Sequence, residues 1–429
     1  MTRQRITIAQ IGARRHYAIP SLLHQAGFVD LFYTDVCANH YFLRYASQIW
    51  PRRHRPSSVD RLFARSVPGV PNHKIRCFPW FGVRRFLATR RAVSPSDRFH
   101  QYLRENQKFC QLVVKRGFGD ATAVYVFNGA GLEILREAKA RGMAAYLEQT
   151  SPHLAHEEAI LAEEREYWPG WEFEGAPQEV WAPMAQREHE ERKLADLVLC
   201  GSTFVRDSLQ AEGEATNQCI VVPYGYQPAT SSPLERTAPK HDLLRVLFVG
   251  TISLRKGIQY LMQAAKLLGS DRFAFRAVGP QRVSRDAVRA ISECVELVEE
   301  VSRSAVRHQY EWADVLVLPS LSEGSANVCY EALSAGVPVI TTHNAGSIVR
   351  DGIDGFIVPI RDAESIAQHL QLLERERDRL YHYSTNAHQR SKAYGWSQYR
   401  ERLLTAIEQV DLNVVKPSPA GSSVVVSPS

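Results

Sequence analysis

Short, nearly uninterrupted apolar runs recur along the chain, separated by stretches whose apolar residues repeat at helical spacing. The first run, Ile6–Ile11, stops at Gly12; after the loop Ala13–Ala18 and Pro20, a helical pattern forms around Leu22, Leu23 and Ala26 and closes at Gly27. Val29–Tyr33 then predicts a second strand, so the chain opens as strand, helix, strand. Residues 40–95 interleave Arg, Pro and aromatics and predict irregular structure. Regularity returns with a strand over Ala123–Phe127, the turn Asn128-Gly129, a helix over Leu132–Ala140 and a strand over Ala144–Leu147. The acidic stretch 157–191 holds 11 Glu with Trp168, Trp171 and Trp181, and predicts helix, loop, helix. A strand at Leu197–Cys200, a helix over Phe204–Gln210 with Ser202 as its N-cap, and a strand at Ile220–Pro223 complete this half.

Three Pro among small polar residues make 227–242 a linker. A second series follows, with strands at Val246–Val249, Ala274–Val278, Val295–Val298, Val315–Leu318, Val337–Thr341 and Phe356–Val358. Apolar strands alternating with helices predict an α/β fold of two doubly wound, Rossmann-like parallel sheets facing across a cleft. The expected division is 1–226, the linker 227–242, a second domain 243–395, a helix over 396–411 that returns to the first domain, and a disordered tail 412–429.

Composition narrows the class. Of the 429 residues, 45% are apolar and 23% charged, as in ordinary globular chains. No run reaches the ~18 apolar residues of a membrane span, and the N-terminus shows no signal-peptide core. The seven Cys are dispersed without a CxxC pair, which predicts reduced thiols in a cytoplasmic chain and no zinc site. The net charge of +6 conceals an imbalance, because residues 1–110 hold 19 Lys and Arg against 5 Asp and Glu. That basic block, rich in aromatics over 41–55 and 78–91, predicts peripheral contact with an anionic membrane beside a plain basic surface as the alternative.

Chemistry concentrates in Pro319–Gly346. A buried strand ends at Pro319, and a polar loop runs into a helix from about Val328 to Ala335. Gly324 and Ser325 leave room for backbone to approach an anion, and the N–H groups of Ala326, Asn327 and Val328 open the helix toward it. Glu323 and Glu331 beside an anion site make electrostatic sense if they accept hydrogen bonds from vicinal hydroxyls. Together they suggest a nucleotide sugar. In Val246–Leu268 a strand ends at Gly250 and Thr251, and Arg255 and Lys256 stand at the next turn, where two cations can meet a diphosphate. GK[ST] is absent, so this is not a P-loop.

These residues resemble the retaining GT-B glycosyltransferases of family GT4, the glycosyl transferases group 1. The resemblance rests on Gly250, Lys256-Gly257, the E-x7-E pair Glu323 and Glu331, and the phrases AVGP, ADVLVLPSLSEG, EALSAGVPVI and DGIDGFIVP. It is strong over about 190–411 and looser over 1–189. It implies that Glu331 binds the ribose hydroxyls, Glu323 the donor sugar, and Lys256 the diphosphate, with Arg255 as second cation where many members carry an Arg at the position of Thr251. The base pocket is expected near Gly279 and Val301. The implied reaction transfers a sugar from a nucleotide diphosphate sugar to an acceptor hydroxyl with retention, needs no cofactor or metal, and belongs to polysaccharide or glycolipid biosynthesis, with a saccharide or lipid-linked acceptor.

The first half is expected to bind that acceptor. The resemblance implies that its loop from Gly12 approaches the donor phosphates, so Arg14, Arg15, His16 and Tyr17 read as phosphate or acceptor contacts beside a plain basic surface loop as the alternative, and that a functional His stands near the end of the Ala144–Leu147 strand, where His153 is the candidate with Glu148 and His156 behind it. Arg187 and Glu191 read as a structural pair at helical spacing, and Trp396 as packing. Competing classes are a GT-B epimerase or phosphorylase, and a nucleic-acid-binding protein, which the absence of any RRM, KH, zinc-finger or OB pattern disfavours.

Overall fold

The computed structural model describes residues 4–39, 65–91, 94–172, 174–226, 242–301 and 303–414. The linker, but for Asp242, and the tail beyond Val414 therefore lie outside the described residues, as do 40–64, 92 and 93 of the segment expected to be irregular.

The first domain contains β1 (Ile6–Gln10), α1 (Ala18–Gln25), β2 (Val29–Thr34), β3 (Ile75–Cys77), α2 (Pro79–Arg91), α3 (Pro95–Arg116), β4 (Ala123–Phe127), α4 (Leu132–Ala140), β5 (Ala144–Gln149), α5 (Leu154–Tyr167), α6 (Gln178–Leu194), β6 (Leu197–Cys200), α7 (Thr203–Ala211) and β7 (Cys219–Val221). The second contains β8 (Leu244–Val249), α8 (Ile258–Leu268), β9 (Phe273–Val278), α9 (Arg285–Ser292), β10 (Glu296–Val298), α10 (Arg303–Trp312), β11 (Val315–Leu318), α11 (Asn327–Ser334), β12 (Val339–Thr342), β13 (Gly355–Val358), α12 (Ala363–Arg375) and α13 (Arg377–Lys392). A last helix, α14 (Trp396–Val414), packs on α1 and β6 of the first domain.

Among the described residues the first sheet runs β3-β2-β1-β4-β5-β6-β7 and the second β10-β9-β8-β11-β12-β13. Every strand pairing is parallel. Central strands such as β4 (AVYVF) and β11 (VLVL) are buried at every position. Helices cover both faces of a parallel sheet, so such strands read as continuous apolar runs. In each sheet the strand order reverses beside the first strand, between β1 and β4 and between β8 and β11. Ligands of open α/β sheets bind outside the carboxyl ends at such a point.

Two expectations are corrected. Part of the segment read as irregular is α2, and the 22-residue α3 follows it, opened by a capping box in which the Ser94 and Asp97 side chains each accept from the other's backbone N–H. The tail begins later than expected, since α14 continues to Val414. Cys37 and Cys77 bring their sulfurs within 2.9 Å, and none of the seven cysteines forms a disulfide.

Candidate active site

The loops after β8 and β11 meet at the second domain's switch point. A 3-10 turn at Leu254–Lys256 aims two cations at one carboxylate. Arg255 Nη1 lies 3.0 Å and Lys256 Nζ 2.5 Å from Glu323 Oε1. The two loops are also tied through backbone: Leu321 N donates to Arg255 O at 2.9 Å, and Arg255 Nη1 to Ser322 O at 2.9 Å. Gly250 and Gly279 close the floor of the site. A Cβ on Gly279 would sit 2.1 Å from Gly250 O, so the two loops approach this closely only with glycine there, whereas one on Gly250 would make an ordinary contact 3.7 Å from Lys256 Cε.

Glu331 projects from α11 and accepts a hydrogen bond from the buried Tyr310 hydroxyl of α10 at 2.9 Å. That bond occupies Oε2 and orients the carboxylate. Burial pushes the Cys329 thiol, which feels Lys256, Glu323 and Glu331, up to about 12, so it stays protonated. Asn327 is exposed and Val328 half-buried at the start of α11, whereas Ala326 N already donates to Ala345 O at 3.0 Å and is not free for an anion, contrary to expectation. The Ser325 hydroxyl likewise donates to Gly346 O at 2.9 Å. Thr251 and Val301 are half-buried.

The first domain closes directly on this loop. Gly324 lies against Thr150 and Ser151, at the carboxyl end of β5. A Cβ there would fall 1.9 Å from Thr150 O, so any larger residue would push the domains apart. Ser202 Oγ donates to Gly324 O at 2.6 Å. Helix α5 and the turn after it add three carboxylates that the sequence reading left without a role. Glu157 accepts from Ser322 Oγ at 2.8 Å, Glu172 from Leu254 N at 2.6 Å, and the fully buried Glu164 from Gln259, Tyr260 and Arg361. Burial holds the carboxyls of Glu157 and Glu172 above their ordinary range. The visible signal was the excess of Glu in 157–191, but nothing in one chain says which Glu faces another domain.

The loop after β1 divides its candidates. Gly12 N donates to Asp35 Oδ1 at 3.0 Å. Arg14 remains exposed and donates to Thr150 Oγ1 at 2.9 Å, beside the approach of Gly324. His16 is exposed too. Arg15, Glu148 and Tyr17 are corrections. Arg15 forms a buried ion pair with Glu148, donates to the Tyr399 hydroxyl at 3.1 Å and stacks on Tyr224. Burial disfavours its charge, but Glu148 with the tyrosines outweighs that and raises its pKa. Tyr17 is in the core, its hydroxyl donating to Val36 O. Arg15, His16 and Tyr17 all adopt left-handed backbone, at φ 46°, 51° and 61°. Such residues cost about 1–2 kcal/mol each, and the Arg15 pair and the Tyr17 packing hold them there.

His153 is also corrected. It is buried, its Nδ1 accepts from Ala155 N at 3.2 Å as the cap of α5, and Nε2 stands 3.6 Å from Glu214. Burial lowers its pKa. His156 pairs with Glu212. Arg187 and Glu191 do pair, at 3.6 Å, and Glu191 also accepts from the N–H groups of Gly129, Gly131 and Leu132 at the start of α4. Trp396 packs on Gly225. Among the described residues no cluster of three or more His, Cys, Asp or Glu could hold a metal, and no helix is long and apolar enough to cross a membrane.

Comparison with known proteins bears on this geometry. Residues 244–375 match the family model described as Glycosyl transferases group 1. A D-inositol 3-phosphate glycosyltransferase of Geodermatophilus obscurus is 28% identical over 251 residues, covering 52% of this chain and 55% of that protein. The amylovoran biosynthesis glycosyltransferase AmsK of Erwinia amylovora is 25% identical over 187 residues, 40% of this chain and 46% of AmsK. The chain thus spans about half the length of these curated relatives. Among solved structures, sucrose-phosphate synthase of Thermosynechococcus elongatus aligns with a TM-score of 0.60 at 17% identity, over 96% of this chain and all of that one. HepE of Anabaena, solved with UDP and glucose, aligns with a TM-score of 0.59 at 12% identity, over 95% of this chain and all of that one. These likenesses establish the two-domain GT-B fold.

Proposed function

We propose that this chain, which carries the glycosyl transferases group 1 domain in residues 244–375, is a glycosyltransferase that moves a sugar from a nucleotide diphosphate sugar to an acceptor hydroxyl with retention. The observation that carries the reading is the convergence of Arg255 and Lys256 on Glu323 at the switch point of the second sheet. One carboxylate oxygen holds two cations there. A pyrophosphate brings several anionic oxygens to the same place and takes over both cations, and Glu323 is then released to accept hydrogen bonds from the sugar hydroxyls.

Glu331, oriented by the Tyr310 hydroxyl, accepts hydrogen bonds from the vicinal hydroxyls of the ribose. In the transfer, the bond from the anomeric carbon to the β-phosphate oxygen breaks and a bond to the acceptor oxygen forms on the same face. The acceptor proton passes to the leaving phosphate. Arg255 and Lys256 stabilise the charge that grows on the nucleoside diphosphate, and the seam between Gly324 and Thr150 excludes water. Arg14 and His16 stand on the acceptor side of that seam. The pathway class is polysaccharide or glycolipid biosynthesis, and the compartment is the cytoplasm, in keeping with seven cysteines of which none forms a disulfide.

The test is nucleoside diphosphate release from UDP-, GDP- and ADP-sugars, preceded by a thermal-shift screen with the same panel, since a ligand of the folded state raises its stability. UDP-sugars come first because HepE was solved with UDP and glucose. A stabilising donor whose sugar is never passed to an acceptor, but appears as its epimer, would replace transfer by epimerisation.

A further inference from the structure

Helix α2 is amphipathic in an inverted sense. Its inner side is fixed: Phe81 is buried, a Cβ on Gly82 would fall 2.1 Å from Val36 Cγ2, and Arg85 pairs with Asp35 at 3.2 Å. Gln101 of α3 donates to Thr89 Oγ1 at 3.0 Å. The outer side is nonetheless apolar. Trp80 is 88% exposed, and Val83 and Leu87, three and seven positions on, are each 50% exposed. Half-exposed Phe86 borders them, as does Tyr102 of α3. Among the described residues, half of the exposed large hydrophobic residues lie on these two helices. Scattered exposed apolar side chains need no explanation, but a stripe on one helix face does.

Its surroundings say what covers it. Residues 79–116 carry nine Lys and Arg against two acids, Asp97 and Glu105, and one of those, Glu105, is buried. The Arg84 side chain reaches Glu105 of α3 at 4.0 Å and is still 65% exposed beside the stripe. We infer that α2 is a membrane-surface helix that seats Trp80, Val83 and Leu87 among the acyl chains of an anionic bilayer, with Arg84 at the headgroups. An apolar stripe edged by Arg, with Trp at its end, is the pattern of a helix lying in the interface plane. A nucleic acid would use the cations but gains nothing from burying Val83 and Leu87.

The placement also bears on the acceptor. Asp35, at the carboxyl end of β2, accepts from Arg85 of α2 and from Gly12 N of the loop at the cleft. The membrane helix is thus tied to the acceptor side of the proposed site, so the acceptor it serves is lipid-borne. That consequence rests on the transfer reading, whereas membrane binding itself does not.

The test is co-sedimentation of the full chain with phosphatidylcholine vesicles and with equimolar phosphatidylcholine–phosphatidylglycerol vesicles. The expected result is binding to the anionic vesicles alone, weakened at least tenfold by Trp80→Ser/Val83→Ser/Leu87→Ser and by Arg84→Glu. The triple variant should keep the wild-type melting temperature and nucleotide-sugar thermal shift. Equal vesicle binding by wild type and triple variant would overturn the inference. So would absent vesicle binding with salt-sensitive retention of single-stranded RNA, or a lower melting temperature in the triple variant, which would mean the face is covered from within. A chain that binds vesicles but releases no nucleoside diphosphate would keep the surface and remove the transfer reading.

Discussion

The two sheets begin alike and use the same chemistry to opposite ends. After β1 the chain turns at Gly12 and presents Arg14-Arg15; after β8 it turns at Gly250 and presents Arg255-Lys256. Both loops stand at a switch point, and in both a cation meets a carboxylate from another strand end. Arg15 and Glu148 are sealed among Tyr125, Tyr224 and Tyr399, which belong to β4, the segment after β7 and α14. Arg255 and Lys256 share Glu323 where the domains face one another. A sealed pair fixes an interface, whereas a shared carboxylate at a crevice can be exchanged for a ligand. The position of a cation after the first strand therefore does not decide its role; what closes over it does.

Removing Arg15 should break the first arrangement hardest. Arg15→Met leaves Glu148 buried without its partner, and breaking such a pair costs about 3–5 kcal/mol. Chemical denaturation should register that loss, with little change in donor KM for the fraction that stays folded. A stable variant with a raised donor KM would instead make Arg15 a phosphate ligand.

Lys256→Met should do the reverse. Glu323 keeps Arg255, so the melting point should barely move, while donor kcat/KM falls about 10²–10³-fold, as for loss of one preorganised charge stabiliser. Steady-state kinetics with the preferred nucleotide sugar measures it, and unchanged kinetics would remove Lys256 from the site. Glu331→Ala comes next. Losing charge-assisted hydrogen bonds worth about 1.5–3 kcal/mol should raise donor KM by roughly tenfold to a hundredfold, with kcat nearly kept, because ribose binding is shared by ground and transition states. A fall in kcat alone would move Glu331 to the reacting centre.

Legibility follows the same divide. In the second domain the strands are continuous apolar runs, and the chemistry lies in short loops that follow them, so β11, α11 and the Glu323–Glu331 spacing could be read residue by residue. In the first domain α3 was passed over although Ser94-Pro95-Ser96-Asp97 is a helix start, because its surface is polar and its neighbours are rich in Arg and Pro. Arg15 and Tyr17 stand beside Arg14 and His16 in sequence, yet the first pair turns inward and the second out, although His16 shares the left-handed backbone of Arg15 and Tyr17. His153 looked catalytic because it follows β5; its ring is spent on capping α5. The carboxylates of α5 could be counted but not aimed, since their partners, Ser322, Tyr260 and Arg361, lie 96 to 197 positions further on.

The smallest expected effect separates interior pairs from the seam by the sign of their pH response. Glu133 and Glu214 are desolvated, yet Arg187 and Arg192 hold their carboxyls below the ordinary value. Their stabilisation is complete above the unfolded value and fades as acid protonates them. Glu157 is the opposite case, because burial raises it and Arg255 offsets that only in part. The folded chain then keeps a proton that the unfolded chain has already lost, so stability declines as pH climbs from the unfolded value through the raised one, and the cost is complete above it. Glu157→Gln retains an acceptor for Ser322 Oγ but cannot ionise. Its melting temperature should match wild type in acid and lie slightly above it near neutrality. If the two curves run parallel from about pH 4 to about pH 8, Glu157 is as well solvated as a surface carboxylate and α5 does not seal the seam.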